Sequence, residues 1–195
     1  MPVQISEENF VQFRYEPSYL KSVEDILTRS DPKLVNPDNS FNPGYSAINL
    51  DGGNVVRDKE KVMITARVFR ENQNLELTRE ELREQLSHDL MAHVIIVPEH
   101  PGDEIDHAVG NVRFLDHDTV LINELKLEYK YWKDGIEKIR EDYGFTFIEV
   151  PWFKPRYKKD SLSAIGIYIN YLEVGNLIIL PKFEIEGTRD QETFT

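Results

Sequence analysis

The feature of this sequence that most constrains its fold is a weak internal repeat of about 57 residues. Three strand-like runs recur, and each has a glycine near its start, at Gly53, Gly110 and Gly166. The runs are "LDGGNVVR" (50–57), "HAVGNVRF" (107–114) and "AIGIYINY" (164–171). Repeats of this length are typical of units that stack beside one another or around an axis and bury one another's faces.

Each run is followed by a second strand-like segment, and in two repeats by a helix and a third strand. The second segments are "KVMIT" (61–65), "DTVLIN" (118–123) and "NLIILP" (176–181). Thr78 and Glu81 have the spacing of a capping box, which predicts a helix start. Apolar residues at helical spacing from Tyr129 to Tyr143 predict a second helix that ends at Gly144. The third strands are predicted in "HVIIVP" (93–98) and "FTFIEVP" (145–151).

The repeats predict a single α/β domain over residues 1–195, built from strand–strand–helix–strand units. An earlier partial unit contains the strand-like "NFVQFRY" (9–15) and a helix-like segment at 17–29. The predicted units are 9–49, 50–106, 107–163 and 164–183, followed by an acidic tail at 184–195. The last unit stops after its two strands, so we expect the assembly of units to have open ends.

The composition excludes several classes of function. The net charge of −12 disfavours binding to the phosphate backbone of nucleic acids. The sequence contains no cysteine, which excludes disulfides and thiol nucleophiles within these residues. It contains neither a membrane-spanning apolar run nor a recognisable secretion signal, so we expect a cytoplasmic protein without membrane contact. No pattern predicts a cofactor.

Four stretches resemble the bacterial agmatine deiminase and peptidyl-arginine deiminase family. They are "NFVQFRY", "LDGGNVV", "HAVGNVRF" with "DTVLIN", and "GIYINYL", which occur in the expected order between residue 9 and about residue 183. The resemblance implies the pentein fold, a five-bladed α/β propeller in which each repeat unit is a blade. The propeller would be incomplete, because this chain supplies about three and a half blades of that pattern.

The resemblance also implies a site. Members of this family convert a guanidinium group to a ureido group plus ammonia, using a cysteine thiolate, a histidine and carboxylates that hold the cation. The family's Glu-Gly-Gly carboxylate matches Asp51, and its His-x-Asp histidine matches His107. We therefore predict His107 and Asp51 as vestigial catalytic residues, and a guanidine cation as a possible ligand. The predicted substrate-binding residues are Asp51, Gly52, Gly53 and Asn54.

The sequence departs from the family pattern at the remaining positions. The aspartate of the His-x-Asp pair is replaced by Val109, and the family's Trp-x-Arg-Asp motif and its cysteine fall outside the sequence. We expect a degenerate, catalytically inactive family member that serves as a binding or structural module. The alternative is a fragment of a deiminase completed by another chain, although such a chain would not restore the carboxylate missing at Val109.

Two further expectations concern metal ions and partners. The segment 93–107 is rich in His, Asp and Glu, which would also fit a metal-dependent hydrolase using His107. We interpret the segment as a solvated acidic loop and predict no metal site. The open ends, near 9–15 and 164–181, should expose apolar residues and support a homo-oligomer or a complex with a partner protein. These residues are Phe10, Val11, Phe13, Ile165, Ile167, Tyr168, Ile169, Leu177, Ile178 and Ile179.

Overall fold

The computed structural model describes residues 2–6, 9–16, 18–19, 44–100, 103–154 and 163–193. The predicted helix at 17–29 lies outside these residues, apart from a turn at Ser18 and Tyr19. The chain divides into two compact units, Met1–Ile96 and Val97–Thr195. We describe each unit by itself.

The first unit begins with a three-stranded sheet of β1 (Pro2–Gln4), β2 (Phe10–Arg14) and β3 (Gly44–Asn49). Strand β2 lies in the middle, antiparallel to β1 and parallel to β3. Val11 and Phe13 are accordingly only 5% and 1% exposed. The prediction of an open apolar edge at 9–15 is therefore wrong, because both sides of β2 are already paired.

The first unit continues with the predicted strand–strand–helix–strand pattern. Its elements are β4 (Val56–Asp58), β5 (Lys61–Thr65), the short helix α1 (Arg67–Glu71), α2 (Arg79–Leu90) and β6 (His93–Val97). The sheet order is β4-β5-β6, and β4 and β5 are antiparallel. The second strand and the helix are thus confirmed, whereas the first strand begins at Val56 rather than near residue 50.

Helix α2 begins at the predicted capping box. The Thr78 hydroxyl oxygen accepts a hydrogen bond from the Glu81 backbone N–H at 3.2 Å, and the Thr78 backbone N–H donates to the Glu81 carboxylate at 2.8 Å. The helix buries three leucines that lie four residues apart on one face, Leu82, Leu86 and Leu90. They belong to one apolar cluster with residues that include Val62 and Ile64 of β5. This cluster is the core of the first unit.

The second unit repeats the pattern. Its elements are β7 (Val112–Phe114), β8 (Thr119–Asn123), α3 (Lys130–Tyr143) and β9 (Thr146–Val150). Strands β7 and β8 are antiparallel, and β8 and β9 are parallel, so α3 is the crossover between them. Helix α3 ends as predicted at Gly144, which has a left-handed backbone and donates its N–H to the Arg140 carbonyl at 2.8 Å.

The third repeat departs from the prediction. Half of the run 164–171 lies in turns and none of it in a named strand, and the hairpin comes later, as β10 (Leu172–Val174) and β11 (Leu177–Ile179). Tyr168 and Ile169 are fully buried, so the prediction of an exposed end at 164–181 is wrong for this run, whereas Leu177, Ile178 and Ile179 are exposed as predicted. The physical reason is a tight approach at Gly166, which has a φ of +96° and packs against the backbone of Phe153.

The acidic tail is attached to the second unit rather than projecting freely. Asp190, in the one-turn helix α4 (Asp190–Thr193), is buried. Its carboxylate accepts hydrogen bonds from the Tyr168 hydroxyl at 2.7 Å and from the Glu184 backbone N–H at 3.0 Å. These bonds lower the pKa of Asp190 to about 2 despite the opposing effect of its burial.

The contact at Gly166 generates a stability prediction. A Cβ atom at Gly166 would lie 2.1 Å from the Phe153 carbonyl oxygen, whereas one at Gly144 would meet nothing within 4 Å. We expect Gly166→Ala to lower the free energy of unfolding by at least about 3 kcal/mol, and Gly144→Ala by about 1 kcal/mol. Both glycines have left-handed backbones, so the difference between the two losses measures the steric clash with Phe153. Equal losses in chemical denaturation would contradict it.

Candidate functional site

His107 does not begin a strand. It precedes a 3₁₀ turn, Ala108–Gly110, and the strand β7 starts only at Val112. Side chains therefore do not alternate between two sides from His107 to Gly110 as they would in a strand, and Arg113 lies in β7, beyond the turn. The Arg113 guanidinium instead donates to the Tyr171 carbonyl at 3.0 Å and lies 4.2 Å from the centre of the Tyr171 ring.

The loop before His107 is held by aspartate side chains. Asp103 accepts hydrogen bonds from the backbone N–H groups of Ile105 and Asp106, both at 2.9 Å. Asp106 has a left-handed backbone with a φ of 42°, and its side chain is fully buried. Asn111 donates from its amide to the Asp106 carboxylate at 3.2 Å and to the His107 carbonyl at 3.0 Å. These bonds fix the backbone on both sides of His107.

A buried histidine joins this loop to the start of helix α3. The Nδ1 atom of His100 lies 3.2 Å from the Asp106 carboxylate, and its Nε2 atom lies 2.9 Å from the Glu128 carboxylate. The two carboxylates are 0% and 3% exposed, and the imidazole is 15% exposed. Trp132 stacks on the His100 ring with a centroid distance of 5.1 Å. The imidazole is thus enclosed by two acids and an aromatic ring.

This geometry determines the charge of His100. Ionised carboxylates only accept hydrogen bonds, so both ring nitrogens must carry protons and the ring is an imidazolium. Burial lowers the pKa of His100, but the hydrogen bonds and charges of Asp106 and Glu128 outweigh burial and raise the pKa from 6.5 to about 9. With both nitrogens engaged, His100 has no free nitrogen that could serve as a general base. It therefore positions the loop that carries His107.

A pocket of about 180 Å³ lies beside His107. Its lining includes Asp103, Asp106, His107, Val109, Asn111 and Asn170. It is smaller than the roughly 300 Å³ or more of typical drug-sized sites, so it suits a small ligand. The Asp106 carboxylate is already hydrogen-bonded to His100 and Asn111, and Val109 presents a hydrocarbon surface.

Asp51, the other predicted catalytic residue, lies in the first unit. It precedes the 3₁₀ turn Gly52–Asn54, just as His107 precedes its own turn 56 residues later. The Tyr19 hydroxyl donates to one Asp51 oxygen at 2.5 Å, and the Gly53 backbone N–H donates to the other at 3.0 Å. Burial and the hydrogen bond to Asp51 raise the pKa of Tyr19. The Asp51 carboxylate therefore stabilises the turn.

The remaining predicted binding residues take structural positions in the same turn. Gly52 and Gly53 form its backbone, and Asn54 is only 3% exposed. The Asn54 side-chain oxygen accepts a hydrogen bond from the Thr65 backbone N–H at 2.9 Å, at the end of β5. Asp51 and His107 belong to different units, and their assignment as vestigial catalytic residues stays a prediction.

An arginine in the first unit, missed by the sequence analysis, supports the position of Tyr19. Arg67 is 3% exposed and lies 5.3 Å from the centre of the Tyr19 ring. Its guanidinium donates to the Glu71 carboxylate at 2.8 Å and to the Ser18 hydroxyl at 3.1 Å. The pairing with Glu71 neutralises the buried charge. No sequence signal links Tyr19 to residues almost 50 positions away.

The segment 93–107 is only partly the solvated loop that was predicted. Asp103 and Glu104 are exposed, but Asp106 is 2% exposed and joined to His100. Within the part of the chain that the structure describes, no group of three or more His, Asp or Glu side chains is arranged to hold a metal ion. No helix among the described residues is long and apolar enough to cross a membrane.

The raised pKa of His100 predicts a pH-dependent stability. A raised folded-state pKa contributes stability that is fully present below pH 6.5 and is lost as pH rises through about 9. We expect the free energy of unfolding, measured by chemical denaturation, to fall by a few kcal/mol across this interval. The His100→Gln variant should lose this component, whereas His88→Gln, which removes an exposed histidine, should keep it. An unchanged pH profile in His100→Gln would contradict the assignment.

Comparisons with known proteins agree with the fold and the motifs. The family model for Porphyromonas-type peptidyl-arginine deiminase matches residues 8–194. A structure of C. jejuni agmatine deiminase with substrate bound is 18% identical, with a TM-score of 0.72, and the match covers 95% of this chain. Agmatine deiminase of Enterococcus faecalis is 16% identical, with a TM-score of 0.69, over 95% of this chain. No curated protein sequence matches.

These matches confirm the predicted pentein-like α/β propeller fold. They cover 57% of the C. jejuni structure and 62% of the Enterococcus structure. The chain therefore spans little more than half the length of these two deiminases.

Proposed function

Because this chain belongs to the Porphyromonas-type peptidyl-arginine deiminase family, we propose that it is a member without deiminase activity of its own, serving as a binding or structural module. The observation that carries the proposal is Val109 in the wall of the His107 pocket. The resemblance places a carboxylate at this position, where it would hold the guanidinium group. A hydrocarbon side chain can neither accept a hydrogen bond from that cation nor balance its charge.

The other carboxylates of the pocket do not compensate for Val109. The Asp106 carboxylate forms an ion pair with the His100 imidazolium and accepts a hydrogen bond from the Asn111 amide. Asp103 uses one oxygen to accept two backbone N–H groups. A guanidinium ion would have to compete with His100 and Asn111 for the Asp106 oxygens, and with two backbone N–H groups for one of the Asp103 oxygens. We therefore propose that any guanidine ligand binds weakly and is not positioned for attack.

The composition supports the same conclusion about chemistry. The family mechanism forms a covalent bond between a thiolate and the guanidinium carbon, and none of the 195 residues is a cysteine. Nucleophile removal alone lowers turnover by several orders of magnitude in enzymes that use covalent catalysis. His107 therefore has neither the thiolate nor, because of Val109, the carboxylate that the family reaction needs beside it.

The second candidate is that another polypeptide completes a deiminase. It is favoured by the coverage of the matched structures, since the match covers only 57% of the C. jejuni structure. Val109 disfavours it, because an added chain would leave the same hydrocarbon wall in the pocket. Native mass spectrometry of the protein isolated from its source separates the two candidates, since only the second requires a stoichiometric partner for activity.

The proposal predicts that the purified chain releases no ammonia from agmatine, arginine or peptidyl-arginine above the buffer rate. His107→Ala serves as the control for trace activity, since it removes the predicted proton carrier. Identical background rates for the two proteins are the expected result. Turnover that is present in the original chain and lost in His107→Ala would overturn the proposal.

The role of Val109 is tested by restoring a carboxylate. We expect Val109→Asp to raise the affinity for agmatine by about tenfold in calorimetric titration, because it adds a charge-assisted hydrogen-bond acceptor to the pocket. Val109→Asn is the matched control, since it has nearly the same size and shape as aspartate but no charge. If the original chain binds agmatine as tightly as Val109→Asp does, Val109 is not the cause of weak binding.

A further inference from the structure

The pocket beside His107 is built from two segments of the second unit. One is the loop and turn at 103–111, and the other is the run 163–170. The two segments are in contact, since a Cβ atom at Gly110 would lie 3.9 Å from the Cγ2 atom of Ile167. The pocket therefore belongs to one compact unit of the chain.

One carboxylate oxygen in this pocket is open to a ligand. The Oδ1 atom of Asp103 accepts hydrogen bonds from the backbone N–H groups of Ile105 and Asp106, both at 2.9 Å. No described residue donates to its Oδ2 atom, and Asp103 is exposed. Asp106, the other carboxylate of the described lining, is already bonded to His100 and Asn111. Asp103 therefore offers a ligand one negatively charged acceptor.

A side-chain amide in the second segment is also open to a ligand. Asn170 is exposed between the buried residues Ile169 and Tyr171, which fix its backbone. Its side chain makes no hydrogen bond within the part of the chain that the structure describes. The amide oxygen of Asn170 can therefore accept a second hydrogen bond from a ligand donor.

Much of the remaining lining is hydrocarbon. Ile105 and Val109 supply it from the first segment, and Ala164 and Ile167 supply it from the second. Such a surface packs favourably against the methylene groups of an aliphatic chain. The described lining contains no Lys or Arg side chain that would repel a cation.

The balance of charge around the pocket favours a cation. The Asp106 and Glu128 carboxylates share one imidazolium, that of His100, and Asp103 adds a further carboxylate. Negative charge is therefore in excess beside the pocket. A cationic ligand would reduce this excess, whereas an anion would increase it.

We propose that this pocket binds a primary ammonium group carried on an aliphatic chain. An ammonium group is a compact charge with three donors, so it can donate to the Asp103 Oδ2 atom and to the Asn170 amide oxygen. Its methylene groups would then contact Val109. A planar guanidinium group is held best by paired carboxylate oxygens, and Asp103 has only one oxygen open. The inference rests on the proposed role as a binding module, whose ligand it names.

NMR titration of the isotope-labelled full chain tests the proposal. We expect n-butylamine to shift the backbone amide signals of 103–111 and 163–170, and to bind more tightly than n-butylguanidine or the uncharged n-butanol. Agmatine is avoided in this experiment because it carries both an ammonium and a guanidinium group. A lysine residue presents the same ammonium group as a free amine, so Nα-acetyl-lysine N-methylamide is titrated in parallel. Whichever amine binds more tightly identifies the source, and binding of either supports the proposal.

Asp103→Asn tests the open oxygen. Asparagine keeps one oxygen that can accept the two backbone N–H groups, but it replaces the other oxygen with an N–H donor. We expect about tenfold weaker binding of n-butylamine. Asp116→Asn is the matched control, because Asp116 also accepts backbone N–H groups, from Asp118 at 3.0 Å and Thr119 at 2.8 Å, and lies outside the described lining. This variant should bind n-butylamine like the original chain.

Three results would overturn the proposal: pocket amide signals that neither amine shifts, n-butanol or n-butylguanidine binding as tightly as n-butylamine, or equal affinities of Asp103→Asn and Asp116→Asn. If Asp103→Asn fails to fold, Asn170→Ala removes the second acceptor and should also weaken binding. Ammonia release is measured separately. Turnover would refute the proposed lack of deiminase activity without refuting the ammonium site, and a failure to bind amines would leave that lack of activity standing.

Discussion

The strand pair β4–β5 buries apolar residues on both faces, so it needs a covering layer on each side. In the first unit, Val62 lies with the leucines of α2, while Met63, the next residue along the same strand, is buried on the other face. This two-sided burial is typical of sheets within layered α/β architectures. In this unit, helix α2 supplies only one of the two layers. The hairpin β10–β11 has the same alternation without its covers among the described residues, and its exposed aliphatic side chains are the consequence.

The chemistry of the His107 region depends on a second constraint, the cost of burying charge. Asp106 and Glu128 are both removed from water, and two unpaired carboxylates there would be strongly unfavourable. The His100 imidazolium satisfies both and thereby ties the loop before His107 to Glu128, which precedes the N-cap of α3. The arrangement also commits Asp106 to an intramolecular partner. Acidic composition around a pocket therefore does not by itself create a cation site, because the available lone pairs matter more than the formal charge.

Local patterns in the sequence predicted the regular elements well. The Thr78–Glu81 capping box, the helical spacing up to Gly144 and the strands at 61–65 and 93–97 all involve interactions between near neighbours, which sequence spacing reports directly. The errors occurred where distant contacts override local preference. The run 164–171 has strand-like composition, but Gly166 turns against Phe153, and Tyr168 bonds to Asp190, 22 residues later. Likewise, nothing near His100 in the sequence indicates Glu128, which lies 28 residues away.

Hydrogen bonds that involve the backbone explain why the motifs at Asp51 and His107 are retained, without a catalytic role for either residue. In the first repeat, the last residue of β5, Thr65, donates its backbone N–H to the Asn54 side chain. In the second repeat, the last residue of β8, Asn123, donates from its own side chain to the Gly110 carbonyl at 2.8 Å. Each bond connects the 3₁₀ turn to the end of the second strand. The side chain in the bond belongs to the turn in the first repeat and to the strand in the second. A turn fastened in this way keeps the residue before it, Asp51 or His107, in place whether or not a substrate is bound. Family motifs can therefore persist for reasons of folding alone.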